Sequence, residues 1–234
     1  MILNQDTFLY LPTLKSNSID LVVIDPPYNI SRESFFHGGK AENDKFNKIS
    51  IDFGYWDEAI DMDELFNQLY RVLRNGGTLI IFYDIWKSTE IKEVAENNKF
   101  KQPRICQWIK NNPVPINSKR NYLSNAVEFF FSFVKKGKPT FNSKYDKGIY
   151  NYPLCHGRER LDHPTQKPLG LIKDIIKKHS NPGDTVLDCF SGTGTTAEAC
   201  IDLDRKFICV ERDEKYYNMS LERIILQAHH QPDQ

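Results

Sequence analysis

The sequence predicts an α/β protein with a doubly wound, mostly parallel sheet. Short apolar segments alternate with segments of helical apolar spacing, as they do in βαβ units. Residues 21–25, LVVID, are apolar up to their last residue, which is typical of a parallel strand buried on both faces. Residues 185–188 form a second such strand and lead through two glycines into a helix. A chain of 234 residues fits a single domain over residues 1–234 better than two independent ones.

The other elements are predicted from apolar spacing and from turn residues. We expect the helix with the apolar stripe 65–73 to end at a C-cap formed by residues 75–77, Asn-Gly-Gly. Pro168 suits the first position of a later helix. The further predicted strands are residues 78–83, 105–109, 127–134 and 207–210. The further predicted helices are residues 85–98, 168–179, 195–203 and 216–228. Residues 31–52 and 146–167 are predicted to be loops.

The composition excludes several classes of protein. Hydrophobic residues make up 40% of the chain, so a chain that is disordered throughout is excluded. The longest apolar runs are far shorter than the roughly 18 to 20 residues that cross a bilayer, and the amino terminus lacks the pattern of a secretion signal. The 5 cysteines are odd in number and have no CxxC spacing. We therefore expect a reduced, cytoplasmic protein without a zinc site.

The charges are unevenly distributed, although the formal net charge is zero. Residues 99–147 contain 11 basic and 2 acidic side chains, an excess of +9, with Asn, Ser, Tyr and Trp between the charges. Such a segment favours a surface that follows the phosphates of a nucleic acid. A solvated face of the protein would give the same pattern, so the charge alone leaves both interpretations open.

The first motif with chemical content is Asp25-Pro26-Pro27-Tyr28, directly after the first strand. The prolines fix the backbone, so that a carboxylate, a proline carbonyl and an aromatic ring stand at the carboxyl end of the strand. An exocyclic amine on a purine is a poor nucleophile, because its lone pair is delocalised into the ring. The Asp25 carboxylate and the Pro26 carbonyl would draw such a nitrogen towards tetrahedral geometry, and Tyr28 would stack on the base. A stiffened strand exit with Tyr28 packed on a neighbour is the alternative.

The second motif, residues 188–196 with the sequence DCFSGTGTT, is a strand that turns through Gly192 and Gly194 into a helix. Such a turn lets the backbone approach a ligand closely, and Glu211 ends the next strand, where a carboxylate can hold ribose hydroxyls. The same residues satisfy the dinucleotide pattern GxGxxA, so an NAD-dependent oxidoreductase has to be considered. Asp188 would repel a diphosphate but suits a sulfonium with an α-amino group, which favours S-adenosylmethionine.

Together the two motifs resemble the catalytic and cofactor motifs of the amino-group DNA methyltransferases. The catalytic motif comes first, the recognition region lies in the middle and the cofactor motif comes last, an order similar to the β group of that family, which includes small bacterial adenine-N6 methyltransferases. The resemblance implies a class I, Rossmann-like methyltransferase fold. It also implies a DNA-recognition region inserted at about residues 111–162, a mobile loop over residues 31–56, S-adenosylmethionine as the cofactor, and no metal.

The resemblance also assigns roles to individual residues. His163 begins the segment HPTQKP, which is similar to the family segment that holds the methionine end of the cofactor. Asp6 lies in a segment similar to one that borders the cofactor or the target adenine, and Cys189 stands where many relatives have proline. The expected catalytic residues are Asp25, Pro26, Pro27 and Tyr28. The expected cofactor-binding residues are Asp6, His163, Thr165, Gln166, Lys167, Asp188, Phe190, Gly192, Thr193, Gly194, Thr195, Thr196 and Glu211.

The chemistry requires both motifs to meet in one cleft, although Asp25 and Gly192 lie 167 residues apart. If the strand that ends at Asp25 lies beside the strand that ends at Asp188, their turns flank the crevice where the strand order reverses, which is where such sheets bind ligands. An adenine in a duplex must rotate out of the stack to enter it. We expect the basic middle segment and the residue 31–52 loop to hold the DNA. The expected contacts are Lys119, Arg120, Lys144, Arg158 and Arg160.

The sequence therefore predicts an enzyme that transfers a methyl group from S-adenosylmethionine to adenine N6 in double-stranded DNA. Cytosine-N4 methylation is the near alternative, because the preference for adenine rests on a single residue, the Asp of the first motif. An NAD-dependent oxidoreductase and a nucleic-acid-binding module without catalysis are alternatives of other classes. A homodimer and a paired restriction endonuclease are left open as partners, and no membrane is expected.

Overall fold

A computed structural model describes residues 1–27, 60–113, 123–163 and 165–228 of the protein. The predicted mobile loop at residues 31–56 lies outside these ranges, and so do Tyr28, Lys119 and Arg120. Strands and helices alternate along the described residues, apart from three successive strands between residues 101 and 152, which confirms the predicted α/β class.

The described residues form eight strands, which are β1 (Ile2–Asn4), β2 (Ile19–Ile24), β3 (Leu73–Phe82), β4 (Lys101–Lys110), β5 (Val127–Val134), β6 (Ile149–Tyr152), β7 (Thr185–Asp188) and β8 (Lys206–Glu211). They make one sheet in the order β1-β8-β7-β2-β3-β5-β4-β6. Neighbouring strands are parallel except that β5 runs antiparallel to β3 and β4. The sheet is therefore mostly parallel, as predicted.

The helices of the described ranges are α1 (Thr7–Tyr10), α2 (Met62–Val72), α3 (Ser88–Asn97), α4 (Leu169–His179), α5 (Thr195–Asp202) and α6 (Glu214–Ala228). Short 3₁₀ turns cover Leu11–Thr13, Ile85–Lys87 and Gly157–Glu159. In α2 the Asp61 carboxylate accepts a hydrogen bond from the Glu64 N–H at 3.0 Å, which caps the first turn. The apolar stripe of that helix is buried against the sheet.

The apolar core lies on both faces of the sheet, because successive side chains of a strand point to opposite faces. In β2, Val22 and Ile24 pack in the layer that contains side chains of α2 and α3. Leu21 and Val23 pack in the layer that contains side chains of α4 and α5. Helices thus cover both faces of β2, which explains why the segment LVVID shows no polar alternation.

The predicted end of α2 is wrong, because the helix stops at Val72 and β3 begins at the next residue. The expected C-cap residues 75–77 lie inside this strand. Gly76 has a φ of 77°, and a Cβ there would lie 2.4 Å from the carbonyl oxygen of Lys138. The pairing of β2 with β3 shifts register between Ile19 and Leu21, opposite this point. The glycines therefore mark a β-bulge that is packed against the chain after β5.

Two short edge strands were also missed by the apolar pattern. β1 pairs with β8 at one edge, and β6 pairs with β4 at the other, inside the region 146–167 where the sequence predicts loop throughout. β1 is only 3 residues long, and β6, with the sequence IYNY, contains no run of aliphatic residues that would mark it. Pro168 lies at the N-cap of α4, one position before the predicted one.

The strand order reverses between β2 and β7. The chain continues from β2 to β3 on one side, whereas β7 and β8 lie on the other side. The parallel register places Leu21 opposite Val186 and Val22 opposite Leu187. The residues that follow at the carboxyl ends, Asp25 and Asp188, therefore stand at the same edge of the sheet, as predicted.

Candidate active site

A pocket of about 400 Å³ opens at the carboxyl ends of β2 and β7. Asp25 and Pro27 line it from the first motif, and Asp188, Gly192 and Thr196 line it from the second. A pocket of this size suits a small ligand or cofactor. The structure thus brings together two motifs that lie far apart in the chain.

The Asp25 carboxylate is held by a buried ammonium group. Lys167 donates a hydrogen bond from Nζ to Asp25 Oδ2, and the Lys167 side chain is only 8% exposed. Pro26 is buried beside Asp25, and Pro27 lines the pocket. The ion pair and the rigid prolines together fix the position of the carboxylate. Tyr28, the last residue of the motif, lies outside the described ranges.

Asp188 ends β7 as a buried carboxyl group that is 6% exposed. It accepts hydrogen bonds from the Thr196 hydroxyl at 2.6 Å and from the Phe190 N–H at 3.1 Å. Burial raises the pKa of Asp188 to about 7, and the charges of Asp25 and Glu211 act in the same direction. A cationic group in the pocket would favour the ionised form of this carboxyl group.

The turn between β7 and α5 requires glycine at two positions. Gly192 has a φ of 50° and Gly194 a φ of 79°, in the left-handed region that glycine adopts readily. A Cβ on Gly192 would lie 3.3 Å from Nε2 of His163, which also lines the pocket. A Cβ on Gly194 would lie 2.8 Å from the Cβ of Ser220 in α6. Gly192 therefore borders the pocket, whereas Gly194 allows α6 to pack closely against the turn.

Glu211 ends β8 and is joined to the glycine turn by a hydrogen bond. Its Oε2 accepts from the Gly192 N–H at 2.8 Å, and its Oε1 accepts from the Asp213 N–H at 2.9 Å. Burial raises the pKa of Glu211, although these two N–H groups oppose the shift. Because a carboxylate has more lone pairs than two bonds use, Glu211 retains capacity to accept hydrogen bonds from ligand hydroxyls.

His163 and Thr165 line the pocket from the segment before α4. The Thr165 N–H donates to His163 Nδ1 at 3.3 Å, and the His163 ring packs edge-on against Tyr216 with the ring centroids 4.4 Å apart. Burial lowers the pKa of His163 to about 4, and the nearby Lys167 charge acts in the same direction. The imidazole is therefore neutral at neutral pH.

Gln166 and Lys167 also line the pocket, but their polar groups have partners within the protein. Gln166 donates from Nε2 to the Glu159 carbonyl at 2.8 Å and accepts at Oε1 from the Leu161 N–H at 2.9 Å. The Lys167 ammonium contacts Asp25 and Glu128. The resemblance assigns both residues to the cofactor, whereas the structure gives them contacts that hold this wall and the Asp25 carboxylate in place.

The remaining predicted cofactor residues surround the same pocket. Asp6 caps α1, where its carboxylate accepts from the Phe8 N–H at 2.8 Å. Arg223 of α6 donates to the Thr195 hydroxyl at 2.9 Å, so α6 anchors the first turn of α5. The predicted residues that line the pocket besides those already described are Asp6, Phe190, Thr193 and Thr195.

Several residues at the pocket were not predicted. Phe82 and Arg212 line it, and each comes at or next to the carboxyl end of a predicted strand, which was a usable signal. Glu128 at the start of β5 has its Oε2 3.6 Å from Lys167 Nζ. No local pattern marks Glu128, because its contact with Lys167 arises only when β5 takes its place in the sheet.

Two lysines of the basic middle segment lie at opposite edges of the sheet. Lys110 ends β4 at the carboxyl edge of the sheet, where its ammonium lies 2.8 Å from Glu128 Oε1. Lys135 follows β5 at the opposite edge, where it is buried and donates to Asn17 Oδ1 at 2.8 Å. Lys110 and Lys135 therefore cannot belong to one phosphate-tracking surface, because the long antiparallel strands β4 and β5 carry these two charges to opposite edges of the sheet. The expectation that the middle segment holds DNA stays a prediction.

The structure separates two of the predicted DNA contacts. Arg160 is exposed and lies close in the chain to the pocket-lining residues before α4. Lys144 is also exposed, but its neighbour Asn142 donates to the Ser180 carbonyl at the far end of α4. Arg160 is therefore on the pocket side of the sheet and Lys144 is not. Arg158 lies in the 3₁₀ turn Gly157–Glu159.

The described ranges contain neither a membrane-spanning helix nor a cluster of metal-ligating side chains. No helix within them is long and apolar enough to cross a membrane. The same ranges show no group of three or more His, Cys, Asp or Glu side chains that could hold a metal ion. The 5 cysteines are buried and form no disulfide.

Comparison with known proteins identifies the family. A family model described as DNA methylase matches residues 19–222, which include both motifs. The chain belongs to the DNA methylase family. This membership confirms the predicted resemblance and the predicted class of enzyme, and it removes the oxidoreductase alternative.

Individual relatives agree with this methylase assignment. The chain is 32% identical to the type II methyltransferase M.HinfI of Haemophilus influenzae, over 95% of this chain and 67% of the relative. It is 30% identical to the type II methyltransferase M2.MboI of Moraxella bovis, over 92% of this chain and 83% of the relative. The crystal structure of the M1.HpyAVI-SAM complex aligns with a TM-score of 0.70 and 29% identity, over 95% of this chain and 98% of that one.

The region that the methylase family shares contains most of the pocket. The match begins at Ile19, the first residue of β2, and ends in α6. Asp6 precedes the matched region and reaches the pocket through α1. The carboxyl ends of β2, β7 and β8 therefore form the candidate active site of the methylase.

Proposed function

We propose that this DNA methylase transfers the methyl group of S-adenosylmethionine to the N6 amino group of adenine in double-stranded DNA. The observation that carries the proposal is the parallel pairing of β2 with β7, which places Asp25 and Asp188 at one pocket. An amine held at Asp25 and a methyl donor held at the Asp188 turn would lie within reach of each other. Family membership and the type II methyltransferase relatives support the same activity.

The charge of the pocket is complementary to that of S-adenosylmethionine. Asp25, Asp188 and Glu211 line it with carboxyl groups, and a sulfonium with an α-amino group brings compensating positive charge. When bound, the cofactor supplies a methyl group on a positively charged sulfur. The same carboxyl groups would repel a diphosphate. The similar protein M1.HpyAVI forms a complex with SAM.

Individual residues suit different parts of this cofactor. Asp188, held by Thr196, suits an ammonium group, and Glu211 retains lone pairs for ribose hydroxyls. Gly192 leaves room for a ligand to approach the backbone closely. His163 is neutral near neutral pH because burial lowers its pKa to about 4, so it does not repel a sulfonium. Charge and space at the pocket therefore both favour this cofactor.

Asp25 is proposed to orient the amine. Its carboxylate accepts one N–H bond and the Pro26 carbonyl accepts the other, which directs the nitrogen lone pair at the methyl carbon. The nitrogen gains positive charge as the new bond forms, so its attraction to Asp25 increases towards the transition state. Asp25 therefore lowers the barrier more than it stabilises the bound substrate.

The target base is proposed to leave the duplex before it enters the pocket. A stacked base cannot reach a pocket at the edge of a sheet, so the adenine rotates out of the helix, and Tyr28 stacks on it. The Asp of the first motif favours adenine. Cytosine-N4 remains the second candidate from the sequence, and nothing in the described part of the pocket favours it over adenine.

The test measures methyl transfer and cofactor binding in parallel. Unmethylated genomic DNA is incubated with the protein and radiolabelled S-adenosylmethionine and then sequenced with modification-sensitive detection. We expect N6-methyladenine at one short sequence. Asp25→Asn should abolish transfer but still bind S-adenosylmethionine in calorimetry, whereas Asp174→Asn, which alters an ion pair with Lys178 on α4, should leave both unchanged. Methyl groups on cytosine would favour the second candidate, and a wild-type protein that transfers none would overturn the proposal.

We also propose that the enzyme acts in the cytoplasm and is paired with a restriction endonuclease. Its relatives are named type II methyltransferases, which supports a paired restriction endonuclease that cuts the same sequence. The absence of disulfides among the buried cysteines supports the cytoplasm as its compartment. DNA from a host that expresses the protein should resist that endonuclease, and sedimentation analysis tests whether the protein is a homodimer.

A further inference from the structure

Four charged side chains of alternating sign cross the carboxyl edge of the sheet. They are Asp25 after β2, Lys167 before α4, Glu128 at the start of β5 and Lys110 at the end of β4. We refer to these four residues as the charge row. It begins at the candidate catalytic carboxylate and ends at the strand pair β4 and β5, which flanks the middle segment of the chain.

The contacts along the charge row are short. Lys167 donates a hydrogen bond to Asp25, and its Nζ also lies 3.6 Å from Glu128 Oε2. The other oxygen of Glu128, Oε1, lies 2.8 Å from Lys110 Nζ. Glu128 therefore bridges two ammonium groups, one of which holds the catalytic carboxylate.

The two lysines depend on Glu128 because both are buried. Each lysine side chain in the charge row is 8% exposed. Burial opposes the ammonium form of Lys167, but the charges of Asp25 and Glu128 outweigh it and raise the pKa of Lys167 above its ordinary value. Burial likewise opposes the ionised form of Glu128, but Lys167 and Lys110 outweigh it and lower the pKa of Glu128. The ammonium group of Lys167 and the carboxylate of Glu128 thus stabilise each other's charge.

Further contacts restrict where the Lys167 ammonium can stand. Its Nζ lies 5.0 Å from the centroid of the Phe82 ring and 3.3 Å from the Thr165 carbonyl oxygen. Glu128 adds a second anionic contact to the ammonium, and Glu128 is itself held by Lys110. The ammonium is therefore fixed between two carboxylates.

We infer that Glu128 is a positioning residue for methyl transfer, which holds the Lys167 ammonium where it orients the Asp25 carboxylate. The inference rests on the proposed function, since it gives Asp25 the role of orienting the amine. Glu128 acts only through Lys167 and touches neither substrate nor cofactor in this scheme. Lys110 supports it by holding the second oxygen of Glu128.

The expected effect falls on the chemical step. A displacement of a reacting group by about 1 Å can lower a rate by as much as ~100-fold. Glu128→Gln keeps the shape of the side chain but removes the charge between Lys110 and Lys167. We expect this change to lower the single-turnover rate of DNA methylation by roughly 10-fold to 100-fold, while the Kd for S-adenosylmethionine changes less than about 2-fold.

The test compares variants at saturating cofactor and DNA. Glu128→Gln, Lys110→Met and Lys167→Met are measured singly, together with the double variant Glu128→Gln/Lys167→Met. Glu96→Gln, which removes the same charge from an exposed ion pair on α3, is the matched control and should retain the wild-type rate. Lys110→Met provides a second test should Glu128→Gln fail to fold in a thermal unfolding control.

The double variant separates a positioning role from a merely structural one. If Glu128 acts through Lys167, the double variant is as slow as Lys167→Met alone, and the two losses do not add. Additive losses, or a Glu128→Gln variant as fast as an active wild type, would overturn this inference and leave the proposed function intact. A wild-type protein that transfers no methyl group overturns the proposed function itself and this inference with it.

Discussion

The Thr196 hydroxyl donates a 2.6 Å hydrogen bond to the Asp188 carboxylate, across the turn that joins β7 to α5. This bond favours the ionised carboxylate, but burial favours the neutral form more strongly and raises the pKa of Asp188 to about 7. The group therefore changes its charge near neutral pH, at the place where we propose that the amino group of the cofactor binds. Protein stability and cofactor affinity should therefore both change with pH near neutrality.

Asp188→Asn should remove part of the pH dependence of stability. Between the ordinary pKa of an aspartate, about 4, and the raised pKa of Asp188, only the folded state holds the proton. The free energy of unfolding of the wild type should therefore fall relative to the variant as the pH rises. We expect a change on the order of 2 kcal/mol between about pH 5 and about pH 7. Denaturant titrations at both pH values measure it, and parallel curves for the two proteins would contradict the prediction.

The affinity for S-adenosylmethionine should rise with pH over the same range. A cationic ligand favours ionised Asp188, so binding at low pH must first release a proton from it. Below about pH 7 the Kd should rise by up to ~10-fold for each unit by which the pH falls. Calorimetry of the wild type and of Asp188→Asn measures this, and the variant should bind more weakly with less dependence on pH. His163, whose pKa burial lowers to about 4, remains neutral over this range. A wild-type affinity that is constant with pH would exclude the assigned contact.

Gly194→Ala and Gly183→Ala separate two effects of substituting a glycine. Both have a positive φ, 79° and 82°. A Cβ on Gly183 meets nothing within 4 Å, whereas a Cβ on Gly194 lies 2.8 Å from the Cβ of Ser220. We expect Gly183→Ala to destabilise by about 1 kcal/mol through backbone strain, and Gly194→Ala by roughly 1–3 kcal/mol more through overpacking. Thermal unfolding measures both, and equal losses would show that α6 does not pack tightly on the turn.

Arg160→Ala should weaken DNA binding, and Lys144→Ala should not. Arg160 is on the pocket side of the sheet, whereas Lys144 lies beside the far end of α4. Loss of one phosphate contact should lower the salt dependence of binding, the slope of log K against log salt, by about 1. Fluorescence anisotropy with a labelled duplex at several salt concentrations measures the slope. An equal loss for both variants would show that the DNA contacts both ends of α4.

The central part of the fold and most of the pocket were predictable from the sequence. Asp25 and Asp188 each end an apolar strand, and parallel strands in a doubly wound sheet bring such ends to one edge. The glycine turn after Asp188 carried its own signal, because only glycine adopts its backbone angles without strain. These features are local in sequence, and the general rules of α/β folds then place them together.

The features that could not be predicted depend on contacts between distant residues. Gly76 looked like a helix end, but it lies inside β3, where a side chain would clash with the carbonyl of Lys138, 62 residues later. The contact of Glu128 with Lys167 requires two charged side chains from separate elements to meet at a buried point. The basic segment was judged by its sum of charges, which does not reveal that Lys110 and Lys135 end at opposite edges of the sheet.

The pairing of β2 with β7 also bears on the order in which the enzyme forms during translation. Leu21 pairs with Val186, so β2 leaves the ribosome long before its partner β7 is synthesised. Until then the nascent chain exposes one side of β2 as an unpaired edge, and such late, long-range pairing is slow. Catalytic competence is therefore among the last properties that the nascent chain acquires, and an incomplete chain cannot methylate DNA.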